Sequence, residues 1–286
     1  MAFPTMQLRS SLDSDELTIL PMTALDTDDP LVAVSRHIAA QPAGAFQPVG
    51  VLSTLSEPPP VWLGRAIPLA ALVTSLAALS GARWRLVGTL WALSLLILAT
   101  WRSSWGQVIH HEHLLVLHGA ALALGPSGKR RTSEPEPHDM VPGSAVRLMC
   151  LFTVATYLLA GVAKLRLGGA DWLSGDILRN HIASNAVRLE LLGSSGSPFA
   201  ADIAGWPLAL AVAAPASVAL ELCSPLLLTG GRIRTVLAAL LWTMHLAIAL
   251  AMWISFAYHL VPMALVPFFA VERPVAWLAD RVPRRP

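Results

Sequence analysis

Charge is scarce in this chain. Of its 286 residues only 13% are Asp, Glu, Lys or Arg, against 55% that are hydrophobic, too few charges to cover the surface of a water-soluble domain of this length. Tyrosine is rarer still, with 2 residues against 10 tryptophans. The two cysteines, Cys150 and Cys223, lie inside apolar runs, where a thiol packs as a small hydrophobe and says little about redox compartment. Net charge is +2, but the basic residues fall in short clusters beside apolar runs, without a basic stripe or interleaved aromatics, so nucleic acid is excluded as a partner. A Gly-rich phosphate loop and a GxSxG elbow are both missing, which leaves nucleotide hydrolysis and serine-hydrolase chemistry without support. No basic n-region leads directly into an apolar h-region; a cleaved signal peptide is not expected, and the first hydrophobic helix does the targeting.

Long apolar runs are what the chain has instead. Crossing about 30 Å of hydrocarbon at about 1.5 Å per residue takes about 20 residues. Runs near that length are Val61–Gly81, Leu86–Trp101, Val108–Gly125, Val146–Leu165 and Pro207–Leu228. The stretch Thr235–Val271 is too long for one span and reads as two helices turning near Ser255. The fold class expected is therefore all-α: a polytopic integral membrane bundle of about seven transmembrane helices. Residues 1–60, with Asp13, Asp15, Glu16, Asp26, Asp28, Asp29 and Glu57 against Arg9 and Arg36 and closing on "EPPP", read as a polar, partly disordered tail. Residues 61–272 form the membrane domain, and 273–286 a short basic tail. Between the fourth and fifth spans, Asp176–Leu192 places Leu178, Ile182, Ala186 and Leu189 on one helical stripe and turns Arg179, Asn180, Ser184 and Arg188 away. That pattern predicts an interfacial amphipathic helix.

Basic residues orient the bundle. Arg83 and Arg85, Lys129–Arg131, Arg232 and Arg234, and Arg281, Arg284 and Arg285 all fall on one face of a seven-span chain. The positive-inside rule makes that face cytoplasmic and puts the N-terminal tail outside.

Ionisable groups inside the spans are few, and each is expensive there, roughly 2.5–3.5 kcal/mol at a helix centre on insertion scales, so each is a functional candidate. They are Lys164 near the outer end of span four, "HHEH" at His110–His113 near the outer end of span three, Glu221, His245 and His259. The topology places Lys164 and the histidines at one depth. Lys164 reads either as a base or as an anchor snorkelling to the headgroups, and His245 as a site or a helix-to-helix hydrogen bond. Metal is not expected: the histidines lack HExxH spacing and do not supply three or four convergent ligands.

The segment "YLLAGVAKLRLGGADWLSG" (Tyr157–Gly175) resembles the lysine-containing segment of the vitamin K-dependent gamma-carboxylase membrane domain, known in bacteria as the HTTM (horizontally transferred transmembrane) family. "HHEHLLVLHGAALAL" is similar to its histidine segment, "ALELCSPLLL" to its acidic helix, and "HLAIALAMWISFAYHLVPMALVPFF" to its late membrane segment. The resemblance runs from about Arg83 to Phe269. Ala163-Lys164 stands where animal members carry two lysines, and "RLGG" lengthens the spacer before Asp171-Trp172.

The resemblance implies Lys164 as the catalytic base and His111 as its partner in catalysis. It implies His113, Asp171, Trp172, Glu221 and His245 around a bound reduced vitamin K-type quinone. Lys164 in neutral form takes a proton from a lipid-soluble hydroquinone, and the oxygenated quinone then serves as the base that prepares a small carboxylate or a secreted peptide for carboxylation. The second class of function that stays open is a non-enzymatic or accessory membrane protein for maturation of, or immunity to, a secreted peptide.

Overall fold

Every backbone N–H and C=O of an apolar chain needs a partner, and helices supply those partners locally. The computed structural model describes residues 8–10, 18–20, 46–81, 83–105, 110–125, 143–191, 193–194 and 196–271, and is helical apart from a short antiparallel pairing of β1 (Leu8–Ser10) with β2 (Thr18–Leu20). The helices are α1 (Val61–Leu79), α2 (Trp84–Ser103), α3 (His113–Leu124), α4 (Ser144–Leu173), α5 (Asp176–Leu191), α6 (Ala200–Ala204), α7 (Pro207–Leu222), α8 (Gly231–Met252) and α9 (Ala257–Leu260). Four of them, α1, α2, α4 and α8, are long and apolar enough to cross a membrane. Leu69, Leu72, Val73 and Leu76 of α1 are exposed, as are Leu86, Leu90 and Leu93 of α2.

Side-chain contacts fix an up-and-down order. Trp91 Nε1 donates to Ser75 Oγ at 3.0 Å between α1 and α2, and Trp84 Nε1 donates to Leu122 O at 3.1 Å between α2 and α3. Arg102 pairs with Glu112 at the opposite end of the α2–α3 seam. Against α4, α7 runs antiparallel: Ser224 Oγ donates to Val154 O at 3.1 Å, Gly161 faces Glu221, and Gly175 touches Leu210. One end of the bundle therefore gathers Trp84, Leu122, Ala145 and Arg234, and the other Ser104, Glu112, Trp172 and Met252. The main core, Val154, Tyr157, Leu227, Leu237, Leu241, Leu265 and Phe268, sits where α4, α8 and the last described segment meet.

Two expectations are corrected. The apolar runs expected as spans at Val108–Gly125 and Pro207–Leu228 contain α-helices of 12 and 16 residues, each adjoined by a 3₁₀ turn, at His110–Glu112 and Ser224–Leu228. Among the described residues four α-helices, not seven, reach the length and apolarity of a span.

The last stretch, expected to turn near Ser255 into a seventh helix, stops being helical at Trp253 (φ 56°) and continues as the four-residue α9, turns and a single 3₁₀ turn, Val266–Phe268. It nevertheless returns along α8. Four of its carbonyl oxygens, left without helical donors, are met by side chains. Trp242 Nε1 donates to Leu260 O at 2.9 Å, Thr153 Oγ1 to Ala264 O at 3.1 Å, Cys150 Sγ to Pro267 O at 3.4 Å and Arg234 Nη1 to Phe268 O at 2.7 Å. Proline at 262 and 267 has no N–H and disfavours helical backbone before it, which keeps α9 and the turns after it from continuing as a regular helix.

Most of residues 1–60 lie outside the described residues, as do 273–286, but Gln47 N donates to Ser104 O at 2.8 Å and Val49 N to Ser104 Oγ at 3.2 Å. Phe46 packs against Trp101 and Trp105. The ordered packing begins before residue 61.

The amphipathic reading of α5 matches its placement: Ile182 is buried with Ala200, Leu210 and Ala251, Leu178 and Ala186 pack on that cluster, and Arg179, Asn180 and Ser184 are exposed. Gly175, which connects α4 to α5, has φ 88°, and a Cβ there would lie 2.6 Å from the Leu210 carbonyl carbon. Gly175→Ala is expected to destabilise the bundle by about 2–4 kcal/mol through backbone strain and forced separation, measured as a lowered unfolding midpoint in detergent.

Candidate functional site

On α4, Tyr157, Gly161 and Lys164 are spaced i, i+4, i+7 and so share one face. Gly161 is buried and lets α7 approach: a Cβ at 161 would stand 3.1 Å from Glu221 Cβ and from Leu222 Cγ. Glu221 thereby lies across from the glycine, between the levels of Tyr157 and Lys164. Lys164 Nζ donates to Glu221 Oε1 at 2.6 Å, with 22% of the lysine side chain and 7% of the glutamate side chain exposed. Removing either partner of a pair this buried leaves an uncompensated charge and costs about 3–5 kcal/mol. Glu221 Oε2 is buried with no hydrogen-bond partner.

Above the pair α4 changes direction. Gly169 has φ 54° and ψ −141°, a break in an otherwise continuous helix, so the turn carrying Asp171 and Trp172 folds back. The Trp172 ring centroid lies 5.2 Å from Lys164 Nζ, a cation–π distance. His181 of α5 packs its ring 5.7 Å from that indole, and Trp172 Nε1 is buried without an acceptor.

Below the pair lies an aromatic and imidazole layer. The Tyr157 hydroxyl and His245 Nε2 are 2.9 Å apart. His245 and His259 face each other at 4.3 Å between ring centroids, tilted 37°, and Phe256 packs against both, at 4.9 and 5.8 Å. His245 Nδ1 is buried without a hydrogen-bond partner. A second histidine knot joins α3, α4 and the return segment. His118 is 1% exposed, with Nδ1 2.7 Å from the Tyr258 hydroxyl and Nε2 3.0 Å from both Met149 O and Thr153 Oγ1. A carbonyl oxygen only accepts, so Nε2 carries the proton, and the Tyr258 hydroxyl donates to Nδ1. Every partner in that knot is matched, which suits a structural tie.

Of the residues expected at the site, the structure brings Lys164, Glu221 and Trp172 together and sets His245 in the adjoining layer. Asp171 is exposed on the turn beside Trp172, and His113 is exposed at the first turn of α3. The His111 side chain lies outside the described residues, and with it the expected convergence on Lys164. Sequence reasoning did not single out Tyr157, Tyr258 or His181, and weighed His118 only as a metal ligand. One signal was available: the chain has only two tyrosines, and both are hydrogen-bonded to histidines of this network.

No family model, no curated protein and no solved structure matches the chain.

The pair has a neighbour that reports on it. His181, on α5 at the end of the bundle, has its pKa lowered below the ordinary 6.5 by burial and then by the Lys164 charge. A depressed histidine binds fewer protons folded than unfolded, so its contribution to stability is present above pH 6.5 and lost as pH falls below that value. In the Lys164→Met variant the His181 imidazole is expected to titrate at higher pH than in the parent, read from histidine NMR resonances. An unchanged midpoint would separate the two groups electrostatically.

Proposed function

We propose that this chain is a membrane-embedded proton-handling protein of the quinol-dependent oxygenase or carboxylase type, with the Lys164–Glu221 pair as its base. The observation that carries the reading is the pair itself, an ion pair held inside an apolar bundle with one carboxylate oxygen left over. Buried ionisable groups in such surroundings mark functional sites. The residues fit a hydroxyl-bearing aromatic ligand: Glu221 Oε2 is an acceptor, Trp172 Nε1 a donor and His245 Nδ1 either, all buried and unpartnered among the described residues. When bound, a reduced quinone would supply a dissociable hydroxyl and the two electrons that reduce oxygen.

The chain's own part follows from the pair. Lys164 and Glu221 together hold one exchangeable proton whichever of them carries it, and Glu221 Oε2 accepts a second from the ligand. The Lys164 ammonium then lies beside the oxygen that gave up its proton, and Trp172 closes the space above it. Oxygenase and carboxylase chemistry, the quinone and the substrate class belong to the resemblance described above.

A membrane location gives the remaining features a common cause. The exposed leucines of α1 and α2 face lipid. The return along α8 brings the chain back to the end that carries Arg83, Arg85, Arg232 and Arg234, so the positive-inside rule still puts that end in the cytoplasm and the Trp172 end outside.

The second reading is favoured by the same short ion pair: two compensated charges also suit a structural pin in an accessory protein without catalysis. Arginine distinguishes the two. Its guanidinium keeps its proton and takes both carboxylate oxygens in a fork, covering Oε2. A lipid extract of the purified protein is expected to contain quinone by mass spectrometry, and Lys164→Arg to lose it as completely as Lys164→Ala at equal membrane abundance. Retention of quinone and cellular function by the arginine variant would favour the pin. Orientation is read separately, after Cys150 and Cys223 are replaced by alanine: Asp171→Cys is expected to react with an impermeant maleimide in intact cells and Ser80→Cys only after lysis.

A further inference from the structure

We infer that Tyr157, His245 and His259 form a relay that carries the proton received at Glu221 through the layer below the ion pair, with Phe256 standing between the relay and His110. This inference rests on the proposed quinol reading and concerns positioning residues rather than groups that touch the reacting atoms.

The geometry leads from the ion pair into the layer below it. Glu221 lies opposite Gly161, one turn from Tyr157 on the same face of α4. Its Oε2 is unpartnered among the described residues, and the relay takes one bridging water between it and the Tyr157 hydroxyl. That hydroxyl already lies 2.9 Å from His245 Nε2. A proton entering at the tyrosine oxygen releases the tyrosine's own proton to Nε2, and the tyrosine stays neutral. His245 becomes an imidazolium and gives up its second proton from Nδ1, which no group among the described residues holds. The His245 and His259 rings are 4.3 Å apart, close enough that two imidazolium charges repel strongly, so the pair carries one proton at a time. No bond other than O–H and N–H is made or broken, and one proton leaves for each that enters.

The exit is marked by Phe256, whose ring contacts His245 and His259 and lies 5.9 Å from the ring of His110. His110 is exposed. The chain is also unwound here, with α8 ending at Met252 and α9 starting at Ala257. On the membrane reading, irregular backbone at that depth is tolerated only where it is buried in protein or lines a cavity. A purely structural histidine pair would be expected to have all its nitrogens matched, as His118 has. His245 does not.

Proton release separates the relay from the site it serves. The full chain in nanodiscs is mixed anaerobically with menadiol. Binding is followed by tryptophan fluorescence, and release into weakly buffered medium by a pH dye. The parent protein is expected to bind menadiol and release a proton promptly. Tyr157→Phe, which lacks only the hydroxyl, is expected to bind equally well and to slow release by about a hundredfold or more, the scale of a lost proton-transfer group; His245→Gln, compared at matched menadiol occupancy, should slow release as well. Glu221→Gln should abolish release at any rate. Binding with release as fast in Tyr157→Phe and His245→Gln as in the parent overturns the relay and leaves the quinol reading standing. Absence of menadiol binding by the parent protein overturns both.

Discussion

A lysine ammonium cannot be left alone among apolar helices, and the rest of this molecule is arranged around that constraint. Glu221 supplies the opposing charge, but only because α7 can come within reach of α4, and it can do so only where α4 has no side chain. Gly161 provides that position. Ser224 and Val154 below and Gly175 and Leu210 above then fix the sliding of one helix along the other. The break at Gly169 turns Trp172 over the ammonium, so the charge meets an indole face before it meets solvent. Each of these features follows from placing one charge pair at a helix seam.

A second economy concerns backbone polarity. After Met252 the chain gives up helical hydrogen bonding, and the carbonyl oxygens released are taken by Trp242, Thr153, Cys150 and Arg234 from the surrounding helices. An unsatisfied peptide carbonyl in apolar surroundings is strongly unfavourable, so these four side chains are what allow the segment to be irregular. The irregularity in turn places His259 and Phe256 beside His245. A seventh regular helix would have used its backbone groups internally and presented a different face.

How much of this was legible in the sequence depends on the kind of signal. The long apolar runs announced α1, α2, α4 and α8, because helix length and mean polarity are properties of a window. The same window could not see that the run from 253 to 271 is irregular, since hydropathy is blind to backbone geometry; Pro262 and Pro267 were the residues to weigh. The amphipathic stripe of α5 was readable from spacing, and Ile182 is buried as that stripe required. At the site, Lys164, Glu221 and His245 stood out as polar residues in apolar runs. Their pairing did not, because 57 residues separate Lys164 from Glu221 and nothing local records which helices meet. Tyr157 was hidden by its apolar body: a tyrosine in a hydrophobic run reads as core until its hydroxyl is seen against an imidazole. For His111 the structure adds no side-chain description, and its part in the site remains a matter of resemblance.

The vacancy at Gly161 also makes the seam between α4 and α7 a ruler. With Glu221 Cβ and Leu222 each only 3.1 Å from the point where a β-carbon would stand, the gap between the helices is set by backbone against side-chain root, not by flexible tips. The Lys164–Glu221 separation and the Ser224–Val154 hydrogen bond are therefore graduations on one scale. A change of spacing at one of them is transmitted to the other, whereas the Gly175–Leu210 contact lies beyond the break at Gly169.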